Sequence, residues 1–124
     1  MANYLDATIA LNYREDNTSR MAIPAKKTTL PLTSSIRAQG AQNIGTTYEA
    51  IDLASVASDG GPAYFYNRDD ENFVEIGLEI AAAFVPVITI PPQTAAYLPG
   101  VADKDLFAQA DTAAVDLEYV IWEP

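Results

Sequence analysis

Polar and apolar residues alternate through Phe73–Ile80 (FVEIGLEI) and again through Ala114–Trp122 (AVDLEYVIW). A two-residue period puts successive side chains on opposite faces of a strand. It therefore predicts half-buried β-strands with Val74, Ile76, Leu78 and Ile80 inward and Glu75 and Glu79 in water. In the last run, Val115, Leu117, Tyr119 and Ile121 share the inner face. Further strand signals lie at Ala7–Tyr13, Thr28–Thr33 with Ile36, Thr46–Leu53, Ala63–Tyr66, Phe84–Ile90, Ala95–Leu98 and Leu106–Ala110; Thr46–Leu53 alternates again, whereas Ala63–Tyr66 reads as a short buried strand. Polar or Gly/Pro-containing breaks separate them, at Arg14–Ser19, Asp59–Pro62, Asn67–Asn72 and Pro99–Gly100. Ala50–Ser58 would allow a turn or two of helix, but its alternation suits a strand nearly as well. Eight or nine short strands with regular breaks predict an all-β fold, an antiparallel β-sandwich of jelly-roll type.

Prolines qualify that pattern. Phe84–Ile90 is apolar on both faces, contains Pro86 and ends at Pro91-Pro92. Proline donates no ladder hydrogen bond, so such a strand belongs at an edge, and its outer apolar face needs a cover from a loop or a second subunit. The expected interface residues there are Val85 or Val87, with Tyr97 as an aromatic anchor and a closed dimer or trimer as the assembly. Pro24 and Pro31 likewise mark Ile23–Ile36 as an extended arm or edge.

The chain has 124 residues, room for one domain with a real core, and no cysteine to staple it. Its net charge of −10 is unevenly spread. Residues 1–40 carry Arg14, Arg20, Lys26, Lys27 and Arg37 against three acids, a balance of +2; residues 41–124 carry Arg68 and Lys104 against fourteen acids, a balance of −12. We therefore divide the chain into an N-terminal strand and arm over 1–40 and a sandwich body over 41–124. Lys26, Lys27 and Arg37 are expected to meet acidic groups of a neighbour, while Leu30, Leu32 and Ile36 supply apolar burial. An acidic body repels phosphate backbones, which argues against nucleic acid as a partner. The longest apolar stretch falls short of a membrane-spanning helix. The opening residues have no basic region of the kind a secretory signal carries, so none is expected, and Asn17-Thr18-Ser19 reads as an accidental glycosylation sequon.

Catalytic constellations are not evident. The absence of histidine removes Ser-His and Cys-His arrangements and the commonest metal ligand. Asp69, Asp70 and Glu71 read as a solvated turn. They are better suited to calcium than to a glycosidase pair, yet neither they nor Asp103–Asp105 follow a calcium-loop spacing. Ser58–Gly61 lacks the Lys-Ser/Thr of a phosphate loop. No enzyme, cofactor or metal is expected. Tyr64, Tyr66 and Trp122 offer a sugar-stacking platform as an alternative role.

The second half of the chain carries a resemblance. Tyr64–Asn67 is an aromatic strand ending in Asn; Asp69–Asp70 is a short acidic turn. Asn72–Gly77 reads Asn-Phe-Val-Glu-Ile-Gly, and Phe84–Pro92 is an apolar strand ending in proline. Leu106–Ala110 and the closing Leu117–Trp122 complete the pattern, except that Pro92-Gln93 stands where Pro-Gly would be expected. Residues 60–124 thus resemble a group of small virion proteins of tailed bacteriophages. The resemblance implies a non-catalytic capsid cement or decoration protein, with the major capsid protein and further copies of itself as partners. Its place would be the capsid surface, after synthesis in the host cytoplasm. A small tail, baseplate or adaptor component is the alternative within the same class.

Overall fold

The computed structural model describes residues 2–32, 34–53, 56, 61–100 and 105–123. Ser58–Gly60, most of the Ala50–Ser58 stretch beyond Leu53, Thr33, Asp103 and Lys104 lie outside the described residues. The structure is all-β and antiparallel. No helix among the described residues is long and apolar enough to cross a membrane. The chain divides into two compact units, Met1–Thr33 and Ser34–Pro124. The boundary thus precedes residue 40, because Arg37–Ile44 forms a strand of the second unit.

The first unit is a two-stranded hairpin of β1 (Asn3–Glu15) and β2 (Thr18–Leu32). The expected extended arm is therefore the paired strand of a ribbon. Asp16, with φ of 52°, turns the chain at its tip, a conformation that Asp tolerates better than most residues.

The second unit is a sandwich of two four-stranded sheets, ordered β3–β10–β5–β8 and β4–β9–β6–β7. Its strands are β3 (Arg37–Ile44), β4 (Glu49–Ala50), β5 (Ala63–Asn67), β6 (Val74–Ile80), β7 (Ala83–Ile90), β8 (Ala95–Leu98), β9 (Phe107–Ala110) and β10 (Val115–Trp122). The pairings are nested: β3 with β10, β4 with β9, β5 with β8 and β6 with β7. This is the arrangement of one long antiparallel hairpin wrapped around a core. Ile44, Phe65, Val115 and Leu117 from one sheet pack against Val74, Ile76, Ile90 and Ala108 from the other.

Polar side chains fasten the layers at chosen points. Asn67 is fully buried. Its Nδ2 donates to the carbonyls of Asn72 (2.9 Å) and Ile90 (3.1 Å), and its Oδ1 accepts from the Asp69 amide at 2.9 Å. From β3, the Gln42 Nε2 donates to the Glu49 carboxylate and the Ala50 carbonyl, while its Oε1 accepts from the Asp52 amide. The Tyr119 hydroxyl donates to the Asp52 carbonyl at 2.9 Å. Burial, followed by the Asp52 charge, raises the Tyr119 hydroxyl's pKa.

Three expectations need correction. Thr46–Leu53 holds only the two-residue strand β4: the chain bends at Thr46–Thr47, and beyond Ala50 the Ile51 amide donates to the Leu106 carbonyl and the Asp52 amide to the Gln42 side chain. β3 was not expected at all. And the inward face of β6 is buried only at Val74 and Ile76: Leu78 is half-buried and Ile80 is 49% exposed, whereas Glu75 is half-buried. The cause is that β9 pairs with β6 only over Val74–Gly77, so the β6–β7 hairpin runs on past its neighbours.

Candidate interaction surface

The registration of the N-terminal hairpin sorts its side chains into two unlike faces. Residues directly opposite in an antiparallel ladder share a face. One face carries the pairs Leu5–Leu30, Leu11–Ile23 and Tyr13–Met21, with Ala7, Ile9 and Leu32 on the same side. The other carries Asp6–Thr29, Thr8–Lys27, Asn12–Ala22 and Arg14–Ser19.

β2 carries two irregularities, and the first keeps the apolar set together. Between the pairs Ile9–Lys26 and Leu11–Ile23, β2 uses one residue more than β1, and it does so again around Arg20. An extra residue in one strand reverses the phase of everything beyond it. The apolar positions of β2 are even-numbered at Leu30 and Leu32 and odd-numbered at Ile23 and Met21. The first bulge brings both sets to one side. Pro24 lies within that bulge, where a missing N–H breaks no regular ladder bond.

Little covers this face. Ile9, Leu11, Tyr13, Met21 and Ile23 are all exposed; Leu5, Leu30 and Leu32, near the open end, are half-buried. At about 3.4 Å per residue and 4.8 Å between strands, the face measures about 400 Å², the size at which an apolar patch marks an interaction site.

The polar face is internally satisfied. Asp6 accepts from the Thr29 hydroxyl at 2.6 Å and lies 3.6 Å from the Lys27 ammonium. The Thr29 bond, and then Lys27, hold its carboxyl below its ordinary value. Ser19 donates to Asn12, and Arg20 pairs with Glu15 at 2.7 Å. Lys27 therefore has its acid within the hairpin. Lys26 stands exposed on the apolar face opposite Ile9.

The remaining expected interface residues lie elsewhere. Ile36 and Arg37 belong to the sandwich: the Ile36 carbonyl accepts from the Glu123 amide, and Arg37 opens β3 opposite Trp122 with its Nε donating to Gln39. Val85 and Val87 are 41% and 50% exposed on the edge strand β7. Phe84 on the same strand is covered by its own chain, stacked against Tyr48 at 5.5 Å. The Tyr48 ring also meets Phe107 edge-on, and its hydroxyl donates to Glu79. Tyr97 is on β8, in the other sheet, with its hydroxyl buried and without a hydrogen-bond partner. Val85, Val87 and Tyr97 thus do not lie in one sheet.

The acidic turn is organised around its own backbone. The Asp69 Oδ2 accepts from the amides of Asn72 (2.6 Å) and Glu71 (3.0 Å) and from the Asn72 side chain. Those bonds hold its carboxyl below the usual carboxylate range. Among the described residues no cluster of acidic side chains has the geometry to hold a metal ion.

On β2 the face is not legible from residue spacing because its phase changes at a bulge, which hides Met21 and Ile23, whereas Leu11 and Tyr13 stand in the unbroken alternation of β1 and lack only the knowledge of which face stays open. No protein-family model matches this chain, and no curated protein or solved structure matches it either.

Proposed function

We propose that this protein is a non-catalytic structural component of a tailed-phage virion, a capsid cement or decoration protein that docks through its N-terminal hairpin. The observation that carries this reading is the exposed apolar face of β1–β2. A two-stranded ribbon is marginal in water and needs another layer against that face. The major capsid protein is the partner, and repeated copies bridging capsomers multiply a modest contact energy and favour the assembled shell by mass action. Association of copies with one another uses the exposed edge around Val85 and Val87. The resemblance of residues 60–124 to small phage virion proteins supports the class. The nested pairing of eight strands in the second unit supports reading the sandwich as a jelly roll.

Quantitative mass spectrometry of purified particles tests the assignment. Hundreds of copies per particle are expected; about a dozen would point to a tail or adaptor component instead, and none would refute a virion role. Leu11→Asp with Ile23→Asp should abolish shell binding while leaving the melting of the sandwich unchanged. Full occupancy by that variant would refute docking through the hairpin.

A further inference from the structure

The β3–β10–β5–β8 sheet turns a second, different surface away from the core. Its strands alternate, and Ala38, Phe65, Leu117 and Ile121 point inward. The register puts Gln39, Val120, Tyr64 and Tyr97 in one outward row across all four strands. On either side lie a row with Ala41, Glu118 and Tyr66 and the pair Arg37–Trp122. Rows are about 7 Å apart, two residues along a strand. Three tyrosines and the chain's one tryptophan therefore share a face in an acidic unit that has only three basic residues, Arg37, Arg68 and Lys104.

Beside the aromatics runs an open groove of about 330 Å³, bordered by Gln39, Ala41, Arg68, Glu118 and Val120. Small residues at 40 and 41 keep its β3 wall low. Arg68 lies along it, with Nη1 3.3 Å from Asp116 and Nη2 2.7 Å from Glu118. The guanidinium is thus fixed in place, and its charge is more than matched by two carboxylates.

We propose that this face is a binding site for a neutral polysaccharide. Pyranose rings have apolar C–H faces and hydroxyl-bearing edges. The half-buried Tyr64, Tyr66 and Trp122 offer rings whose bodies are apolar and whose rims are polar, while Tyr97, its hydroxyl buried, adds only an apolar body. The Gln39 amide, the Arg68 guanidinium and the Glu118 carboxylate are planar groups that donate to or accept from neighbouring hydroxyls in pairs. Charge selects the class of ligand: Arg68 is already matched by Asp116 and Glu118, Arg37 beside Trp122 is the one other cation in these rows, and the unit as a whole is acidic, which disfavours phosphate, sulfate or uronate, whereas an uncharged chain meets no such penalty. This goes beyond docking on a shell and uses no residue of the hairpin.

Affinity electrophoresis of the full chain tests it, through gels containing soluble β-glucan, mannan, galactomannan or amylose. Retardation by at least one neutral polymer is expected. Tyr64→Ala and Trp122→Ala should each weaken it at least tenfold with the circular dichroism spectrum intact, and Tyr64→Phe should largely retain it. The hairpin pair Leu11→Asp/Ile23→Asp should leave it unchanged. Migration unaffected by every neutral polymer overturns the proposal. So does retardation indifferent to Tyr64 and Trp122, or retardation only by alginate or heparin that salt abolishes. Loss of shell binding in Tyr64→Ala without any retardation would assign the face to a protein partner and equally overturn it.

Discussion

Gly77 sits against the backbone of Val85 so closely that a Cβ at position 77 would overlap the Val85 carbonyl oxygen and lie 2.8 Å from the Pro86 Cα. The approach comes from the irregularity between Ile76 and Gly77, where β7 carries Val87 as an extra residue and Gly77 faces Pro86. Backbone cannot swing aside as a side chain can. Gly77→Ala should therefore destabilise the sandwich by about 2 kcal/mol or more. Urea unfolding within 0.5 kcal/mol of wild type would show that the bulge is not as tight as described.

Asn67 invites a second substitution. Asn67→Ala removes three hydrogen bonds and leaves the Ile90 carbonyl, buried at the end of β7, without its side-chain donor. An orphaned buried polar group costs about 1–3 kcal/mol, and two carbonyls lose a donor here. A loss of about 3 kcal/mol is expected in thermal or urea unfolding. Asn67→Asp should fare no better, because it replaces the two-proton donor with a buried acceptor.

Those two sites mark how far the sequence can be read. β6 and β10 are legible because their apolar residues keep strict period two, and β5 because a short aromatic run follows the Asp59–Pro62 break. β3 is not: in Arg-Ala-Gln-Gly-Ala-Gln-Asn-Ile only Ala38 and Ile44 are buried apolar residues, and the two inner positions between them are Gly40 and Gln42, the latter with its amide satisfied by Glu49, Ala50 and Asp52. A strand held by a polar pin leaves no hydrophobic pattern. Leu78 and Ile80 kept the pattern but lost the burial, since β9 ends before reaching them. In the candidate site, Leu30 and Leu32 were found by their β-branched and apolar neighbours, whereas Ile23 and Met21 sit beyond a bulge that inverts the alternation. Nothing in the local sequence announces such a phase change except Pro24.

Asp69 makes acid stability a test of the 67–72 turn. The Asn72 amide first, and then the Glu71 amide, hold its carboxyl below the ordinary value in the folded chain. A depressed folded-state pKa contributes stability that is present above the unfolded carboxylate range, near pH 4, and lost as pH falls through the folded value. Wild type should exceed Asp69→Ala in stability at pH 7, with the gap narrowing steadily below about pH 4. A gap that stays constant down to pH 2 would mean that the carboxylate charge contributes nothing to the turn.

The β6–β7 turn stores strain that substitution can release. Ala81 and Ala82 link Ile80 to Ala83 with φ of 54° and 60°, the left-handed region that Asn and Gly occupy readily and alanine does not. Gln93 has φ of 52° in the turn after β7, at the position where the phage-protein pattern has glycine. Ala81→Asn with Ala82→Gly should stabilise by about 1 kcal/mol, the steric relief being partly offset by the added freedom of glycine in the unfolded chain. A lower melting temperature for this variant would argue against the two-residue turn.

The N-terminal hairpin should be far less stable alone than the sandwich. Its ladder is long, but each strand has one neighbour, and its apolar face is open over Ile9, Leu11, Tyr13, Met21 and Ile23. Ribbons of that kind gain little from burial and pay the full loss of chain entropy. In β10, by contrast, both edges are paired, to β3 and β5, and Val115, Leu117 and Ile121 are buried. Native-state hydrogen exchange on dilute monomer should accordingly show amides of residues 3–32 exchanging at least a hundredfold faster than those of 117–121. If the proposed docking holds, adding capsid shells should slow the hairpin amides toward the rates of the sandwich, because burial against a partner supplies the missing layer. Hairpin amides as protected as β10 in the isolated monomer would mean that the face is already stabilised, and that docking is not what completes it.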